Sequence, residues 1–548
     1  MNKFLVTLFF LLLLSFEAGA ATLYATASGV GDGTGSSVEN ACNGVCSATA
    51  GDTVYLCGAW STIAFTQSGS SGNPIVYDGS CPTGTPAVVA ATGTTNALTF
   101  TTLSGSRYLT VKNIEYSTVD AHGVYVDGDD DITLDGLTCT GTGGTDRSCV
   151  SLLGSVACDR ITIKNSSLSG ATYYGISYQV SGASLTIAGP TITDNEIFDN
   201  DAGGIRLTVE SAGYAASKFT NPTITGNGIY NISKAENGAG IWVRTGDPAA
   251  APTVFSTGVV ISDNTVSDMG TASFGVNGIN CGNCDGAVIA DNTVEDAYVA
   301  GAGITTLGTI NSRISGNTVR RISSNNGIDG GGIYADLYSD GNLFERNFIE
   351  DCETAGNDNN SGQAFGIFSA ASNTFAGNII KDCKVGFGWS GTRTDLNKVY
   401  NNTIHNALVA GIGKGTVEPT NVATALDVRD NAISTAGKCI ISFATPLTNA
   451  DYNNCYQADY DATQSAGAND TTADPAFLGG DTPTTAEGFR PLPSSPLLGA
   501  GSPLGAKYDY EGYRFGNPPN IGAFVNNGPN SYSRRSNYDR RTTFPERY

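Results

Sequence analysis

The sequence predicts an all-β fold built from stacked coils, and three observations lead to that prediction. The chain has 548 residues, of which 70 are glycine and only 15% are charged. Few charges together with many β-branched and turn-forming residues are typical of short strands joined by tight turns. One asparagine-centred motif recurs at intervals of 24 to 37 residues, and no useful helical period runs through the region that contains it.

The repeated motif is the strongest of these observations, because an internal repeat of this length is the signature of a solenoid. An Asn amide both donates and accepts hydrogen bonds, so stacked copies can bind one another. We expect about twelve coils over residues 107–445, one strand spacing of roughly 4.8 Å apart. The aligned asparagines are Asn195, Asn227, Asn264, Asn292, Asn317, Asn347, Asn378, Asn402 and Asn431.

Two copies of the motif agree down to a cysteine. Residues 342–352 read NLFERNFIEDC, and residues 373–383 read NTFAGNIIKDC. Each cysteine follows its repeat asparagine by five residues, so we expect Cys352 and Cys383 to lie one above the other on successive coils. Stacked Cα atoms about 5 Å apart are compatible with a disulfide.

A glycine that opens a short strand forms a second repeated element, as in GIRLTV from Gly204 and GIWVRT from Gly240. With these repeats, the segments GDTVYLCGAW near the start and GFRPLPSSPLLGAGSP near the end resemble the right-handed parallel β-helix proteins of the pectate-lyase-like superfamily. The resemblance covers residues 22–525 and implies a right-handed parallel β-helix with capping segments. The superfamily includes lyases, hydrolases, epimerases, phage tailspikes and adhesins, so the resemblance implies no single activity.

The composition of the chain changes along its length, which suggests an organisation into segments. An apolar run from Phe4 to Leu14 and small residues ending at Ala20 predict an export signal. The predicted segments are the signal (1–20), an N-terminal cap with the first coils (21–106), the coils (107–445), a C-terminal closing segment (446–525) and a disordered Arg-rich tail (526–548). The tail either contacts an anionic surface or is passive.

Charge and cysteine content narrow the function and the location. A net charge of −22 repels phosphate backbones, so nucleic-acid binding is not expected. Beyond the signal, no apolar stretch approaches the roughly 18 residues of a membrane span. The 13 cysteines suit an oxidising compartment, and their odd number leaves at least one thiol unpaired or paired between molecules. We therefore expect a secreted, extracellular or cell-surface protein.

Few motifs point to a cofactor or to a known catalytic set. The acidic turn at 127–131 is a candidate for Ca²⁺, although it lacks the Gly and the closing Glu of an EF-hand loop. No cofactor is predicted to be required, and CGNC at 281–284 is expected to pack in a coil or form a pair. Polygalacturonases of the superfamily carry G-H-G and R-I-K motifs, and AHG around His122 and RITIK at 160–164 resemble them. The accompanying N-T-D and the pectate lyase R-x-P-x-R are missing, so neither site is transferred.

The strand pattern itself gives the candidate site. Alternation along the strands after the repeated glycine sends apolar residues inward and polar ones onto one long exposed face. Arg206 and Arg244 are expected on consecutive coils near 5 Å apart, with Trp242 as a flat surface for a sugar ring. The predicted catalytic residues are Arg206, Glu210, Arg244 and Asp247, and the predicted substrate-binding residues are Trp242, Tyr334 and Asp336.

Two functions follow from this arrangement. The first is an exported protein that binds an acidic polysaccharide and cleaves it. A lyase would use an arginine to neutralise a uronate, and a hydrolase would use two carboxylates such as Glu210 and Asp247. The sequence does not decide between these reactions. The alternative is a non-catalytic surface, adhesion or structural protein, in which the two arginines and two acids form salt bridges.

Overall fold

The computed structural model describes residues 20–525 apart from short gaps. The residues outside the description are 1–19, 101–104, 210–215, 233–237, 247–250, 272, 274, 325–329, 354–361, 391–392, 394, 415–425, 442–446, 463 and 526–548. The predicted signal and the Arg-rich tail therefore lie outside the described residues. Within them, no helix is long and apolar enough to cross a membrane. The described residues contain two 3₁₀ turns, at Val38–Asn40 and Ala486–Phe489.

The described strands form long parallel sheets that run the length of a solenoid. Sheet 1 carries the candidate site and has thirteen strands. Its strands are Ile63–Phe65, Leu98–Phe100, Val124–Asp127, Val150–Gly154, Tyr174–Val180, Gly203–Val209, Gly238–Thr245, Val276–Gly282, Ala302–Leu307, Gly331–Asp336, Gln363–Phe368, Val385–Ser390 and Ala410–Lys414.

Sheet 2 follows the repeat asparagines and has fifteen strands. Twelve of them lie between residues 107 and 445, which is the number of coils that the sequence predicts. Its strands are Ala59–Trp60, Val88–Ala91, Glu115–Thr118, Thr138–Thr142, Ser167–Ser169, Glu196–Phe198, Gly228–Ile232, Thr265–Met269, Thr293–Val299, Thr318–Ser324, Phe348–Glu353, Ile379–Lys381, Thr403–His405, Ala432–Ser434 and Asn454–Tyr456.

Sheet 3 precedes the repeat asparagines and has seventeen strands, and a short sheet 4 adds a fourth side to four coils. Sheet 3 contains Thr22–Thr26, Cys42–Asn43, Thr53–Leu56, Ile75–Asp78, Gly105–Lys112, Asp129–Asp135, Thr162–Lys164, Thr191–Thr193, Thr223–Thr225, Val260–Ser262, Val288–Ala290, Arg313–Ser315, Leu343–Glu345, Thr374–Ala376, Asn397–Tyr400, Leu426–Arg429 and Asn449–Asp451. Sheet 4 contains Thr186–Ala188, Lys218–Thr220, Ser256–Thr257 and Cys284–Asp285.

The asparagine ladder lies in the turn between sheets 3 and 2, and it is continuous. The backbone N–H and the side-chain amide of Asn317 both donate to Oδ1 of Asn347, at 3.1 and 2.9 Å. The same amide also donates to the carbonyl of Ile289 at 2.9 Å. All nine predicted asparagines take part, and Asn453 adds a tenth rung. Each is at most 1% exposed, so the ladder satisfies polar groups that would otherwise be buried unpaired.

The core lies inside the coils, where one residue type repeats in register. Ile205, Ile241, Ile279 and Ile304 occupy the same inward position on consecutive strands of sheet 1, and all are fully buried. The repeated glycine one residue earlier permits close packing against sheet 2. A Cβ atom at Gly278 would lie 2.3 Å from the carbonyl oxygen of Gly303 and 2.5 Å from a methyl group of Val294.

The cysteines form five disulfides, and three buried thiols remain free. The bonded pairs are Cys42–Cys46, Cys57–Cys81, Cys139–Cys149, Cys281–Cys284 and Cys439–Cys455. Cys352 and Cys383 are stacked and their thiols interact, but they are not bonded, and Cys158 is also free. The expected stacking is therefore present without the bridge.

The segment after residue 470 covers the outer face of sheet 2 at the last coils. Phe477, Phe489 and Ile521 pack against the outward side chains of Ile379 and Ala432. The predicted segment boundaries, and closure of the C-terminal end by this segment, stay predictions.

Candidate functional site

The outward side chains of sheet 1 form two columns that run across the coils. The first outward column contains Tyr125, Ser151, Ser177, Arg206, Trp242, Asn280, Thr305 and Tyr334. The second outward column contains Asp127, Leu153, Gln179, Thr208, Arg244, Gly282, Leu307 and Asp336. The polar residues selected from strand alternation therefore do share one face of the sheet.

The two arginines do not stack as the sequence suggested. Arg206 pairs in register with Trp242, and Arg244 pairs with Thr208, so the arginines occupy different columns. The guanidinium carbons lie 5.8 Å (Arg206) and 5.6 Å (Arg244) from the Trp242 ring centre. Both cations therefore lie next to the same aromatic ring, at distances typical of cation–π contacts.

This face is also less open than the sequence suggested. Arg206 is only 4% exposed, and its guanidinium lies 5.0 Å from the Tyr173 ring and 5.5 Å from the Tyr174 ring. Such a buried cation is held by its neighbours, and replacing it would affect folding as well as binding. Trp242 and Arg244 are half-buried, and Arg244 donates through Nε to the carbonyl of Gly246 at 3.3 Å.

Four predicted site residues remain, namely Glu210, Asp247, Tyr334 and Asp336. Glu210 and Asp247 lie outside the described residues, so their roles stay predictions. Tyr334 and Asp336 lie three strands further along the columns than Trp242 and Arg244, roughly 14 Å at one strand spacing per coil. Tyr334 is 2% exposed and packs edge-on against Phe368 at 4.9 Å, so it is a poor sugar platform.

An open groove of about 620 Å³ lies at the other end of the first outward column, before Arg206. Its floor is formed by outward residues of sheet 1, and its wall by the segment between Thr142 and Val150. Among its lining residues are His122, Tyr125, Arg147, Ser148, Tyr173 and Arg206. Sequence reasoning named Arg206 here as a site residue and placed Tyr125 on the outward face. It gave His122 no role and did not consider Arg147, Ser148 or Tyr173.

Hydrogen bonding fixes the chemical state of His122 in this groove. Its Nδ1 accepts the backbone N–H of Ser148 at 3.1 Å, so the neutral ring carries its proton on Nε2. Burial, together with the positive charge of Arg147, lowers the pKa of His122 to about 4. The ring is therefore a neutral hydrogen-bond donor at neutral pH and does not present a free lone pair to a substrate.

A disulfide and a backbone hydrogen bond hold the wall that carries Arg147 in place. The disulfide Cys139–Cys149 closes it, and the backbone N–H of Arg147 donates to the hydroxyl of Thr172 at 3.1 Å. Arg147 Nε lies 3.5 Å from a carboxylate oxygen of Asp120, and both side chains are partly exposed. The Ser148 hydroxyl is fully buried beside the groove and has no hydrogen-bond partner among the described residues. It is available to a ligand or to ordered water.

A signal for this site was present in the sequence but was weak. AHG at 121–123 and DRSC at 146–149 are each ordinary in a turn-rich chain, and the register that brings His122 to Ser148 spans 26 residues. The disulfide that joins Cys139 to Cys149 is a pairing that spacing alone does not single out.

Carboxylates of the acidic turn at 127–131 are engaged by arginines. Asp129 is fully buried with Arg107 at 3.7 Å, and Asp131 accepts two hydrogen bonds from Arg160 at 2.7 and 2.9 Å. In the part of the chain that the structure describes, no group of three or more His, Cys, Asp or Glu side chains is arranged to hold a metal ion. A role for Ca²⁺ stays a prediction.

Comparison with known proteins agrees with this architecture. A family model described as the right handed beta helix region matches residues 100–255 and 253–413, which is more than half of the chain. The chain belongs to the right-handed β-helix family. No curated protein matches it in sequence.

Solved structures with a similar backbone fold include both enzymes and an adhesin. A GH136 lacto-N-biosidase from Eubacterium ramulus is 12% identical, with 64% of this chain and 67% of that one covered and a TM-score of 0.40. The pectate lyase Pel9A is 14% identical, with 93% and 97% covered and a TM-score of 0.27. PfbA, a surface adhesin of Streptococcus pneumoniae, is 11% identical, with 59% and 78% covered and a TM-score of 0.33. At these values the likenesses carry no argument about activity, which has to come from the residues.

Proposed function

We propose that this β-helix protein is exported and that it binds an acidic polysaccharide in the groove and cleaves it there. The observation that carries the proposal is the presence of two guanidinium groups, Arg147 and Arg206, in an open groove on a protein of net charge −22. Guanidinium groups suit carboxylates and sulfates, because their planar fork can donate two hydrogen bonds at once. Tyr173 and Trp242 add aromatic surface for sugar rings beside Arg206.

The neutral groups of the groove suit a sugar chain as well. His122 offers an Nε2–H donor and Ser148 an unpaired hydroxyl, and Gln179 is exposed at the end of the strand. Sugar hydroxyls can both donate and accept, so they can satisfy these groups. Five disulfides fit export to an oxidising compartment.

Two cleavage reactions are compatible with this proposal. In β-elimination, Arg147 or Arg206 would neutralise the uronate carboxylate while a base removes the adjacent proton; the C=C bond forms as the glycosidic C–O bond breaks, and an acid protonates the leaving oxygen. In hydrolysis, two carboxylates would flank the scissile bond, and Asp120 and Asp146 line the groove. Glu210 and Asp247 remain further candidates for these acid and base roles.

Binding without cleavage is the second candidate, and the state of two groove residues favours it. His122 is held as a hydrogen-bond donor by Ser148, and Asp120 lies close to Arg147. Neither is poised in this structure to move a proton to or from a substrate. A non-catalytic surface protein would use the same groove for adhesion.

Incubation of the purified protein with a panel of acidic and neutral polysaccharides tests the proposal. A rise in ultraviolet absorbance reports an unsaturated product of β-elimination, and new reducing ends without that rise report hydrolysis. Binding with neither signal supports the adhesion candidate, and no binding of any acidic polymer overturns the proposal.

A pair of matched variants tests whether the acidic polymer binds in the groove. Arg147→Ala is expected to weaken binding of an acidic polymer at least about tenfold, since a charge-assisted hydrogen bond contributes 1.5 kcal/mol or more. Arg321→Ala is the control, because Arg321 is a similarly exposed arginine on sheet 2, where it pairs with Asp296 at 2.7 Å. Equal loss in both variants would argue for nonspecific attraction.

A further inference from the structure

The charges on the outward columns of sheet 1 are unevenly placed. Arg206 and Arg244 lie on neighbouring strands near the middle of the sheet, and Arg147 lies on the groove wall. Asp127 lies in the second column three strands before Arg206, and Asp336 lies four strands after it. At one strand spacing per coil, the acids are roughly 14 and 19 Å from the strand of Arg206.

Two further carboxylates lie on the same side of the arginines as Asp127. Asp120 and Asp146 both line the groove, and Asp146 is exposed. A polymer that lies across the coils over Arg147, Arg206 and Arg244 thus passes carboxylates on either side of these arginines. If every sugar unit of that polymer were charged, like charges would meet at both ends, which disfavours binding.

The stretch between the arginines and Asp336 is neutral but polar. The Trp242 indole N–H, the Asn280 carbonyl oxygen and the Thr305 hydroxyl are buried, and none has a hydrogen-bond partner among the described residues. These three residues occupy consecutive positions of the first outward column. An unpaired buried polar group costs roughly 1–3 kcal/mol, so groups of this kind are normally paired with water or a ligand.

The surroundings of Asp336 also disfavour a negative charge. Burial raises the pKa of its carboxyl group, although its Oδ1 accepts the backbone N–H of Leu337 at 2.8 Å. The same desolvation would act on an anionic ligand group placed next to it. Uncharged hydroxyls, which can donate to Asn280 and Asp336 and accept from Trp242, suit this stretch better than carboxylates do.

We propose that the ligand is a mixed polysaccharide, in which isolated anionic units are separated by neutral sugars. The anionic units bind along Arg147, Arg206 and Arg244, and the neutral units bind along Trp242, Asn280 and Thr305. This inference rests on the proposed function, because it specifies the substrate class of the same face.

Polymers with a graded charge on an unchanged backbone test it. Polygalacturonate and alginate chains of equal length are used untreated, with part of their carboxyl groups reduced to hydroxymethyl groups, and fully reduced. Binding is measured by calorimetry at physiological salt. We expect the part-reduced forms to bind most tightly, at least about tenfold tighter than the untreated ones.

The outcomes separate the two proposals. Affinity that is equal or higher for the fully charged polymers overturns the mixed-ligand inference and leaves acidic-polysaccharide binding intact. Failure of every charged form to bind overturns both. Tightest binding of the fully reduced forms also overturns both, because it assigns the face to neutral polymers.

Two variants test the neutral stretch directly. Thr305→Val keeps the shape of the side chain and removes its unpaired hydroxyl, so the melting temperature should hold or rise while binding of the part-reduced polymer weakens severalfold. Asp336→Asn should narrow the preference for part-reduced over untreated polymer, whereas the exposed Asp474→Asn on the C-terminal segment should not. Unchanged binding and unchanged preference in both variants would overturn the assignment of this stretch.

Discussion

The imidazole of His122 is tied to the backbone of Ser148, whose N–H donates to Nδ1 at 3.1 Å across 26 residues of sequence. The bond joins the start of one strand of sheet 1 to the loop before the next strand. Since Ser148 follows Arg147 directly, the bond also fixes the part of the wall that presents a cation to the groove. His122, to which the sequence analysis gave no role, therefore holds the groove wall in place and presents an uncharged N–H donor to the groove.

His122 gives a prediction about the pH dependence of stability. Its pKa is lowered to about 4 in the folded protein, against an ordinary value of 6.5. Between these values the unfolded chain binds more protons than the folded one, so the free energy of unfolding should fall as pH drops from about 6.5 toward 4. His122→Gln should remove about 2 kcal/mol of this fall, less than the full pKa shift implies because the ring is partly exposed.

Denaturant titrations of both proteins at several pH values measure this difference. His405 also has a lowered pKa, caused mainly by burial, so His405→Gln serves as a separate control for the second histidine. Parallel curves for the wild type and His122→Gln would contradict the assigned state of His122.

The disulfide Cys139–Cys149 gives a prediction about the groove. Replacing both cysteines with serine should lower the free energy of unfolding by roughly 3 kcal/mol, as expected for a loop of this length. It should also weaken polysaccharide binding, because the wall with Arg147 and Ser148 loses its tie. The matched control is removal of Cys57–Cys81, which lies outside the groove lining and should lower stability with little effect on binding. Equal effects on binding would show that the wall needs no disulfide.

The free thiols give a prediction that can be checked by mass spectrometry. Cys158, Cys352 and Cys383 are buried, and burial raises the pKa of Cys158 to about 12 and that of Cys352 well above its usual value. Alkylation of the folded protein should therefore leave all three unlabelled, because burial keeps the reagent away from each thiol and the reactive thiolate form is suppressed at Cys158 and Cys352. Alkylation after denaturation without reductant should label three sites. A cross-linked Cys352–Cys383 peptide would instead support the bridge that the repeat first suggested.

The fold was predictable because its signals are local and repeated. The nine asparagines, the opening glycines and the inward isoleucines each recur once per coil, so one recognised copy identifies the others. A second ladder, Asn342–Asn373–Asn397, was missed although each member precedes a recognised asparagine by five residues. Only three asparagines share it, and serines such as Ser312 continue it, so the pattern is less regular.

The site was less predictable because it depends on relations between coils. Alternation correctly placed Arg206 and Arg244 on one face, but alternation alone does not say which outward column a residue occupies. The register follows the alignment of GIRLTV with GIWVRT, and it sets Trp242, not Arg244, beside Arg206. The open groove arises from the loop of Arg147 and the tie to His122, which no strand pattern encodes.

Asp430 gives the last prediction, which concerns the contact between the coils and the C-terminal segment. Its side chain is fully buried and accepts the backbone N–H of Ser502 at 2.5 Å, while its own carbonyl accepts the N–H of Gly522 at 2.7 Å. Burial raises its pKa to about 7 from 3.8. Between these values the folded protein binds more protons than the unfolded one, so the free energy of unfolding should fall as pH rises from about 4 to 7.

Asp430→Asn should flatten that part of the curve and stabilise the protein at neutral pH by on the order of 3 kcal/mol, since a neutral amide keeps the acceptor for Ser502 without a buried charge. Denaturant titration at pH 5 and pH 8 measures the effect, and proteolysis of the 474–525 segment shows whether its attachment follows the same trend. Asp474→Asn, an exposed carboxylate of the same segment, is the control and should leave both readouts unchanged. If Asp430→Asn lowers stability at pH 8, the ionised carboxylate holds the segment, and the sign assigned to this contact is wrong.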